Sequence, residues 1–166
     1  MRLNLGCGVK RLEGYINVDL DPSVHPEILL SAIDLKIFND CTVDEIFGSH
    51  LIDHLSYSEF DSAIHEWHRV LKHGGCLVLE CPDFEALCKE FLRVDEQEKW
   101  VSYQKTWHSL IKHFYGKQST PYQYHKNGFT KDRLMSILMS VGFGDMEFLE
   151  PDYKFCPCIK IKAVKP

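Results

Sequence analysis

Four short apolar runs in the first fifty residues each stop on a residue able to meet a ligand. Arg2–Leu5 runs into Gly6-Cys7-Gly8, Tyr15–Val18 ends at Asp19, Glu27–Ala32 stops before Asp34, and Val43–Gly48 stops at Ser49-His50. Pro22 cannot sit inside a strand, so the second run must end near Asp19-Leu20-Asp21. Phe60, Ala63, Ile64, Trp67, Val70 and Leu71 then recur at helical spacing, with Gly74-Gly75 placed to close the helix and Cys76–Cys81 reading as a buried strand halted by Pro82. Strands alternating with a helix predict an α/β fold, Rossmann-like, with a mostly parallel sheet. In such sheets ligands bind outside the carboxyl ends of the strands, where these polar residues lie.

The strand ends describe a nucleoside site. Glycines let a ligand touch the backbone. An acid at the second strand end (Asp19) can accept from both ribose hydroxyls, and one at the third (Asp34) from an adenine amino group. A dinucleotide fingerprint would want a third glycine and a full helix behind the pyrophosphate. Here Gly6-Cys7-Gly8-Val9-Lys10-Arg11 lacks the third glycine, and only residues 6 to 14 separate the first two runs. A parallel crossover usually takes a dozen or more residues, so this one is shortened to a loop and a nicotinamide-dependent enzyme is disfavoured.

The later chain predicts a helical insertion, a cap over 84–128. Phe84, Leu87, Cys88, Phe91 and Leu92 form one helical stripe, and Trp100, Tyr103, Trp107, Leu110, Ile111 and Phe114 another. A polar loop covers 116–128. Thr130 can cap a last helix buried through Leu134, Ile137, Leu138 and Val141, and Met146–Leu149 with Cys158–Val164 closes the sheet with an antiparallel strand. The expected architecture is a three-layer α/β/α domain over residues 1–166.

A formal charge of −5 argues against a nucleic-acid partner, which usually meets a basic face. No apolar stretch approaches the ~18 residues of a membrane span. Met1–Leu5 cannot supply a signal peptide's apolar core, and seven scattered cysteines suit a reduced interior, so a cytoplasmic protein is expected. Cys156-Pro157-Cys158 offers two thiols with no second pair, short of the about four ligands of a structural zinc site, so no metal is expected. Lys160, Lys162 and Lys165 alternate as the wet face of a late strand.

The chain resembles the class I S-adenosylmethionine-dependent methyltransferases, in particular a group of small members. The resemblance lies in Leu3-Asn4-Leu5-Gly6-Cys7-Gly8, Gly14–Asp19, Ser49-His50-Leu51-Ile52-Asp53-His54-Leu55, Glu66–Gly75, Pro82-Asp83 and Tyr124-His125-Lys126-Asn127-Gly128-Phe129-Thr130, in the family's order. It departs in Asn4, where many members have an acid, and in His73, where a proline is usual. The resemblance implies S-adenosylmethionine as cofactor. Gly6, Cys7 and Gly8 with Asn4 would then lie by its methionine part, Asp19 would hold the ribose, and Leu20 would lie against the adenine. Asp34 and the Leu35 backbone would read the adenine edge, and the Ser49 backbone would meet the methionine amino group, with His50 also among the cofactor-binding residues.

The implied reaction is methyl transfer to a small-molecule acceptor, a sugar or glycan precursor by likeness to the group. A general base is needed only for a hydroxyl or protonated nitrogen. His125, beside Tyr124 in the polar loop, and His50 at the fourth strand end are the candidates, since histidine titrates near neutrality. His54, His65 and His68 read as capping or packing residues. A non-catalytic protein that binds a nucleoside cofactor on the same fold stays open, as does a homodimer. The loop-sized first crossover, with Met1 almost at the first strand, predicts an open cofactor pocket.

Overall fold

The computed structural model describes residues 1–93 and 108–166. Strands β1 (Arg2–Leu5), β2 (Ile16–Asp19), β3 (Ile28–Leu29) and β4 (Val43–Ser49) are followed by helix α1 (Tyr57–Val70) and strand β5 (Leu71–Pro82). Helices α2 (Phe84–Arg93), α3 (His108–Tyr115) and α4 (Lys131–Val141) precede strands β6 (Gly144–Leu149) and β7 (Cys158–Val164). The seven strands form one sheet in the order β3-β2-β1-β4-β5-β7-β6, with β7 antiparallel to both its neighbours and the other pairs parallel. This is the Rossmann-like sheet expected, with its antiparallel closing strand. The helical stripe of 84–92 is α2, and Leu110, Ile111 and Phe114 fall in α3. Trp100, Tyr103 and Trp107 lie outside the described residues.

The two faces of the sheet differ in chemistry. One presents Leu3, Leu5, Val18, Ile46, Leu77, Leu79, Ile159, Ile161 and Ala163, which pack with α1 and α4 into the main core. The opposite pleat carries Asn4, Asn17, Glu45, Phe47, Val78 and Lys162. The third layer is thin over β1 and β2. No helix joins them, and the loop 6–15 lies there instead.

Side-chain hydrogen bonds do the work of that missing helix. Asn4 Nδ2 donates to Asn17 Oδ1 at 2.8 Å and to the Lys10 carbonyl at 3.0 Å. Asn17 Oδ1 also accepts from Leu12 N, while its Nδ2 donates to the Leu12 and Tyr15 carbonyls and to Glu27 Oε2. Asn17 is 4% exposed, so nothing else is at hand for these groups. Asn17→Ala is expected to lower unfolding free energy by about 2 kcal/mol, the usual cost of stranding buried polar groups. Urea denaturation measures it, and a shift no larger than at a surface site would refute the loop's dependence on this residue.

Helix α1 begins on a capping box between Ser56 and Glu59. Its other end departs from the expectation that Gly74-Gly75 terminates it. The helix stops at Val70, and Gly74, at φ +77°, lies within β5, where the pairing with β4 shifts register between Val43 and Glu45. Lys165 serves the helix end instead, its Nζ lying 2.7 Å from the His68 carbonyl and 2.8 Å from that of Leu71. Lys165 is thus 6% exposed and is not part of a wet face. An ammonium suits this place because the last helical carbonyls lack partners and carry the negative end of the helix dipole. No helix among the described residues is long and apolar enough to cross a membrane.

Candidate functional site

At the carboxyl end of β1, the chain turns on Gly6 (φ +61°) and Gly8 (φ +50°). A Cβ on Gly6 would stand 2.8 Å from Leu51 Cδ1, whereas one on Gly8 would meet nothing within 4 Å. Gly6 is therefore fixed by packing and conformation together, and Gly8 leaves open space beside the backbone. Asp19, at the end of β2, fastens this turn. Its Oδ2 accepts from Gly8 N at 2.7 Å, and its Oδ1 from Asp21 N at 2.9 Å.

These residues line a cleft of about 270 Å³. One end is made by Gly6, Gly8, Asp19 and Leu20 with Ala32 and Ile33, and the other by His50, His54, Glu59, Tyr122 and Lys126. Of the expected cofactor residues, the cleft therefore brings together Gly6, Gly8, Asp19, Leu20 and His50. Asn4 and Cys7 are buried behind it, and Ser49 is outside its lining. Leu35 is fully buried, while Asp34 pairs with Lys36 around a separate shallow depression. The stretch just before them, Ser31 to Ile33, holds the cleft wall instead. Burial raises the Cys7 thiol pKa, with the Asp19 carboxylate adding to it.

Helix α1 braces that wall. Trp67 Nε1 donates to the Ala32 carbonyl at 2.8 Å, Glu66 Oε2 accepts from Leu35 N at 3.2 Å, and Arg69 Nη1 donates to the Phe38 carbonyl at 3.1 Å. Sequence reasoning saw these residues only as a helix. Trp67 Nε1, a donor on a buried face, was the available signal, because a buried indole N–H needs an acceptor.

At the other end of the cleft the backbone brings distant segments together. The Asp53 carbonyl, in the single turn Ile52–His54, accepts from Lys126 N at 2.8 Å and from Asn127 N at 3.2 Å. That clamp sets His125 beside Asp53, with Nε2 3.1 Å from Oδ2, and His54 on the other side with Nε2 3.7 Å from the same oxygen. His125 is 11% exposed and stands behind the cleft wall, and Tyr124 also lies outside the lining. His54, expected to serve packing, is the histidine of this group that reaches the cleft, and Asp53 was not singled out at all. Burial lowers the His125 pKa, against the pull of Asp53.

His50 adopts φ +51°, and its backbone N–H donates to the Glu80 carbonyl at 2.7 Å. Its Nε2 lies 3.8 Å from Glu80 Oε1 and 4.0 Å from Cys158 Sγ. Burial acts to lower the His50 pKa, but Cys158, Asp53 and Glu80 outweigh it and hold it above the usual histidine value. Glu80 is itself 1% exposed and accepts from the backbone nitrogens of Asp152 and Tyr153.

The residues fit S-adenosylmethionine at the Gly6–Asp19 end. The space beside Gly8, the free lone pairs of the Asp19 carboxylate and the apolar flank of Leu20 and Ile33 supply what a ribose and a flat base require. Residues 3–79 match a methyltransferase domain family. No curated protein matches the chain. Among solved structures, a SAM-dependent methyltransferase from Archaeoglobus fulgidus is 19% identical, with 99% of this chain and 85% of that one covered and a TM-score of 0.69. A SAM-dependent methyltransferase from Thermotoga maritima, described as a possible histamine N-methyltransferase, is 20% identical over 99% and 81% of the two chains, with a TM-score of 0.66. One from Methanosarcina mazei is 16% identical over 98% and 89%, at 0.62.

Proposed function

We propose that this chain is a class I S-adenosylmethionine-dependent methyltransferase that methylates a small hydroxyl-bearing acceptor of the sugar or glycan-precursor kind, a reading supported by the fold and by the methyltransferase-domain match over residues 3–79. The observation that carries this reading is one cleft joining Gly6, Gly8 and Asp19 to the polar end at His50 and His54. We place the protein in the cytoplasm, in keeping with its seven free cysteines.

When bound, the cofactor supplies an activated methyl on a positively charged sulfur. Asp19 would hold the ribose, the Gly6 and Gly8 backbone would pass beside the methionine part, and Leu20 and Ile33 would flank the base. His50, on the cleft wall, accepts the proton of the acceptor hydroxyl. Glu80, fixed by its two backbone donors, steadies the resulting imidazolium. Tyr122 and Lys126 border the space left for the acceptor. His125 and Tyr124, behind the wall, act by position: the Tyr124 carbonyl lies 3.2 Å from His54 Nδ1.

The test is a labelled-methyl transfer screen over sugar, phenol and amine acceptors. Turnover on a hydroxyl acceptor supports the reading, and saturable cofactor binding with no turnover on any acceptor favours a non-catalytic binding protein. In the active case, His50→Gln should reduce kcat about a hundredfold, the low end of general-base contributions. Only the neutral imidazole can take a proton. Wild-type kcat should therefore fall as pH drops through a value above histidine's ordinary ~6.5, and His50→Gln should lack that limb. An unchanged pH profile in the variant removes His50 from the reaction.

A further inference from the structure

The Asp53 carboxylate is buried beside two imidazoles, those of His54 and His125. Its side chain is 3% exposed, and neither oxygen receives a hydrogen bond from the described residues. The two imidazoles beside it are both turned with Nε2 inward. His54 Nδ1 lies 3.2 Å from the Tyr124 carbonyl oxygen and His125 Nδ1 2.9 Å from the His113 carbonyl oxygen. A carbonyl oxygen only accepts, so each Nδ1 carries a proton there, and the tautomer this selects for a neutral ring leaves Nε2 as a bare lone pair toward the carboxylate. Two lone pairs and a buried anion converge within 4.8 Å, and among the described residues no hydrogen-bond donor satisfies either carboxylate oxygen. Such a convergence is unfavourable unless positive charge fills it.

We propose that Asp53, His54 and His125 bind a first-row divalent cation, with zinc(II) as the reference ion. The spacing suits it. Donors about 2.1 Å from a metal stand about 3.0 Å apart at a right angle and about 3.4 Å apart at the tetrahedral angle. The two imidazole nitrogens lie 3.1 and 3.7 Å from the carboxylate oxygen, so small movements would seat an ion between them. The outer shell is already built. Ligating histidines characteristically donate their other ring N–H to a backbone carbonyl, which fixes tautomer and ring direction, and both rings do so here. Two imidazoles and one carboxylate favour zinc, iron, cobalt or nickel over magnesium or calcium, which prefer oxygen. The site is also distinct from Cys156 and Cys158, whose sulfurs are 3.5 Å apart beside His50.

Three protein ligands leave coordination positions open, as catalytic rather than structural sites do. His54 also lines the cleft, so the ion would lie directly behind the cleft wall at the end left for the acceptor. Its positive charge would there favour an oxygen-bearing acceptor; that last point rests on the methyltransferase reading, whereas the binding site does not.

The test uses the full chain freed of metal by a chelator, with no cofactor or acceptor present. Zinc(II) is titrated by calorimetry and cobalt(II) by visible absorption. One saturable site is expected, with ligand-field bands of nitrogen and oxygen donors and no thiolate-to-cobalt charge-transfer band. Asp53→Asn and His54→Gln should each weaken binding by about a hundredfold or more, since even outer-shell partners are worth 10–100-fold. Replacing Cys156 and Cys158 together with serine should leave binding as it was. His54 is partly exposed, so His54→Gln keeps the test decisive if Asp53→Asn fails to fold. The proposal is overturned by absence of saturable binding to the wild-type chain, by a thiolate band that disappears with the two cysteines, or by unchanged affinity in His54→Gln. Because no methyl transfer is read, failure here is separate from failure of the methyltransferase assignment.

Discussion

Asp19→Ala is expected to remove measurable binding of S-adenosylhomocysteine in a calorimetric titration. A carboxylate accepting from two ribose hydroxyls makes two charge-assisted hydrogen bonds, each about 1.5–3 kcal/mol. Their sum, about 3–6 kcal/mol, exceeds a hundredfold in affinity at about 1.4 kcal/mol per decade. The same carboxylate also holds the glycine turn through Gly8 N and Asp21 N, so the alanine variant loses the ribose contact and loosens the turn at once. Asp19→Asn separates the two roles. The amide keeps one acceptor oxygen but sets an NH2 against a backbone N–H, so binding should fall to a value between wild type and alanine. Affinity within threefold of wild type in Asp19→Ala would sink the placement of the ribose at β2.

The alternation of strands with a helix, and the glycines and acid at the first two strand ends, were legible because they depend on local rules. A strand end that must turn beside a ligand takes glycine, and the next strand end takes an acid, so Gly6, Gly8 and Asp19 could be placed from spacing alone. The cleft wall after β3 was less legible. A strand of only two residues, Ile28–Leu29, gives no periodicity to fix where the wall begins, and the cleft is lined by Leu30 to Ile33 rather than by Asp34 and Leu35. Asp53 was invisible for a different reason. Its partner His125 is 72 positions away in sequence, and the clamp that joins them is made by backbone groups, which leave no trace in residue identity. The same holds for Lys165. Its alternation with Lys162 looked like a solvated face, but the last carbonyls of α1 required a cation at that place.

Trp67 ties the core to the cleft wall, and its substitution should produce the largest loss of stability in the molecule. The side chain is fully buried in the main core, near Phe60. Trp67→Ala would cost about 3–5 kcal/mol from lost burial and the cavity left behind. The Ala32 carbonyl, deprived of its donor, adds about 1–3 kcal/mol. Set against a typical total of about 5–15 kcal/mol, the alanine variant should be largely unfolded or melt far below wild type. Trp67→Phe keeps most of the apolar volume and removes the indole N–H, so it should fold with a smaller loss of about 1–3 kcal/mol. Its consequence for binding is the sharper test. Ala32 is part of the cleft wall, and freeing its carbonyl should loosen the stretch Ser31–Ile33 while Asp19 and the glycine turn stay intact. S-adenosylhomocysteine should then bind Trp67→Phe a few-fold more weakly, far short of the Asp19→Ala loss. A phenylalanine variant with wild-type affinity would show that the wall stands without α1. The burial of Trp67 would then be a matter of core packing alone.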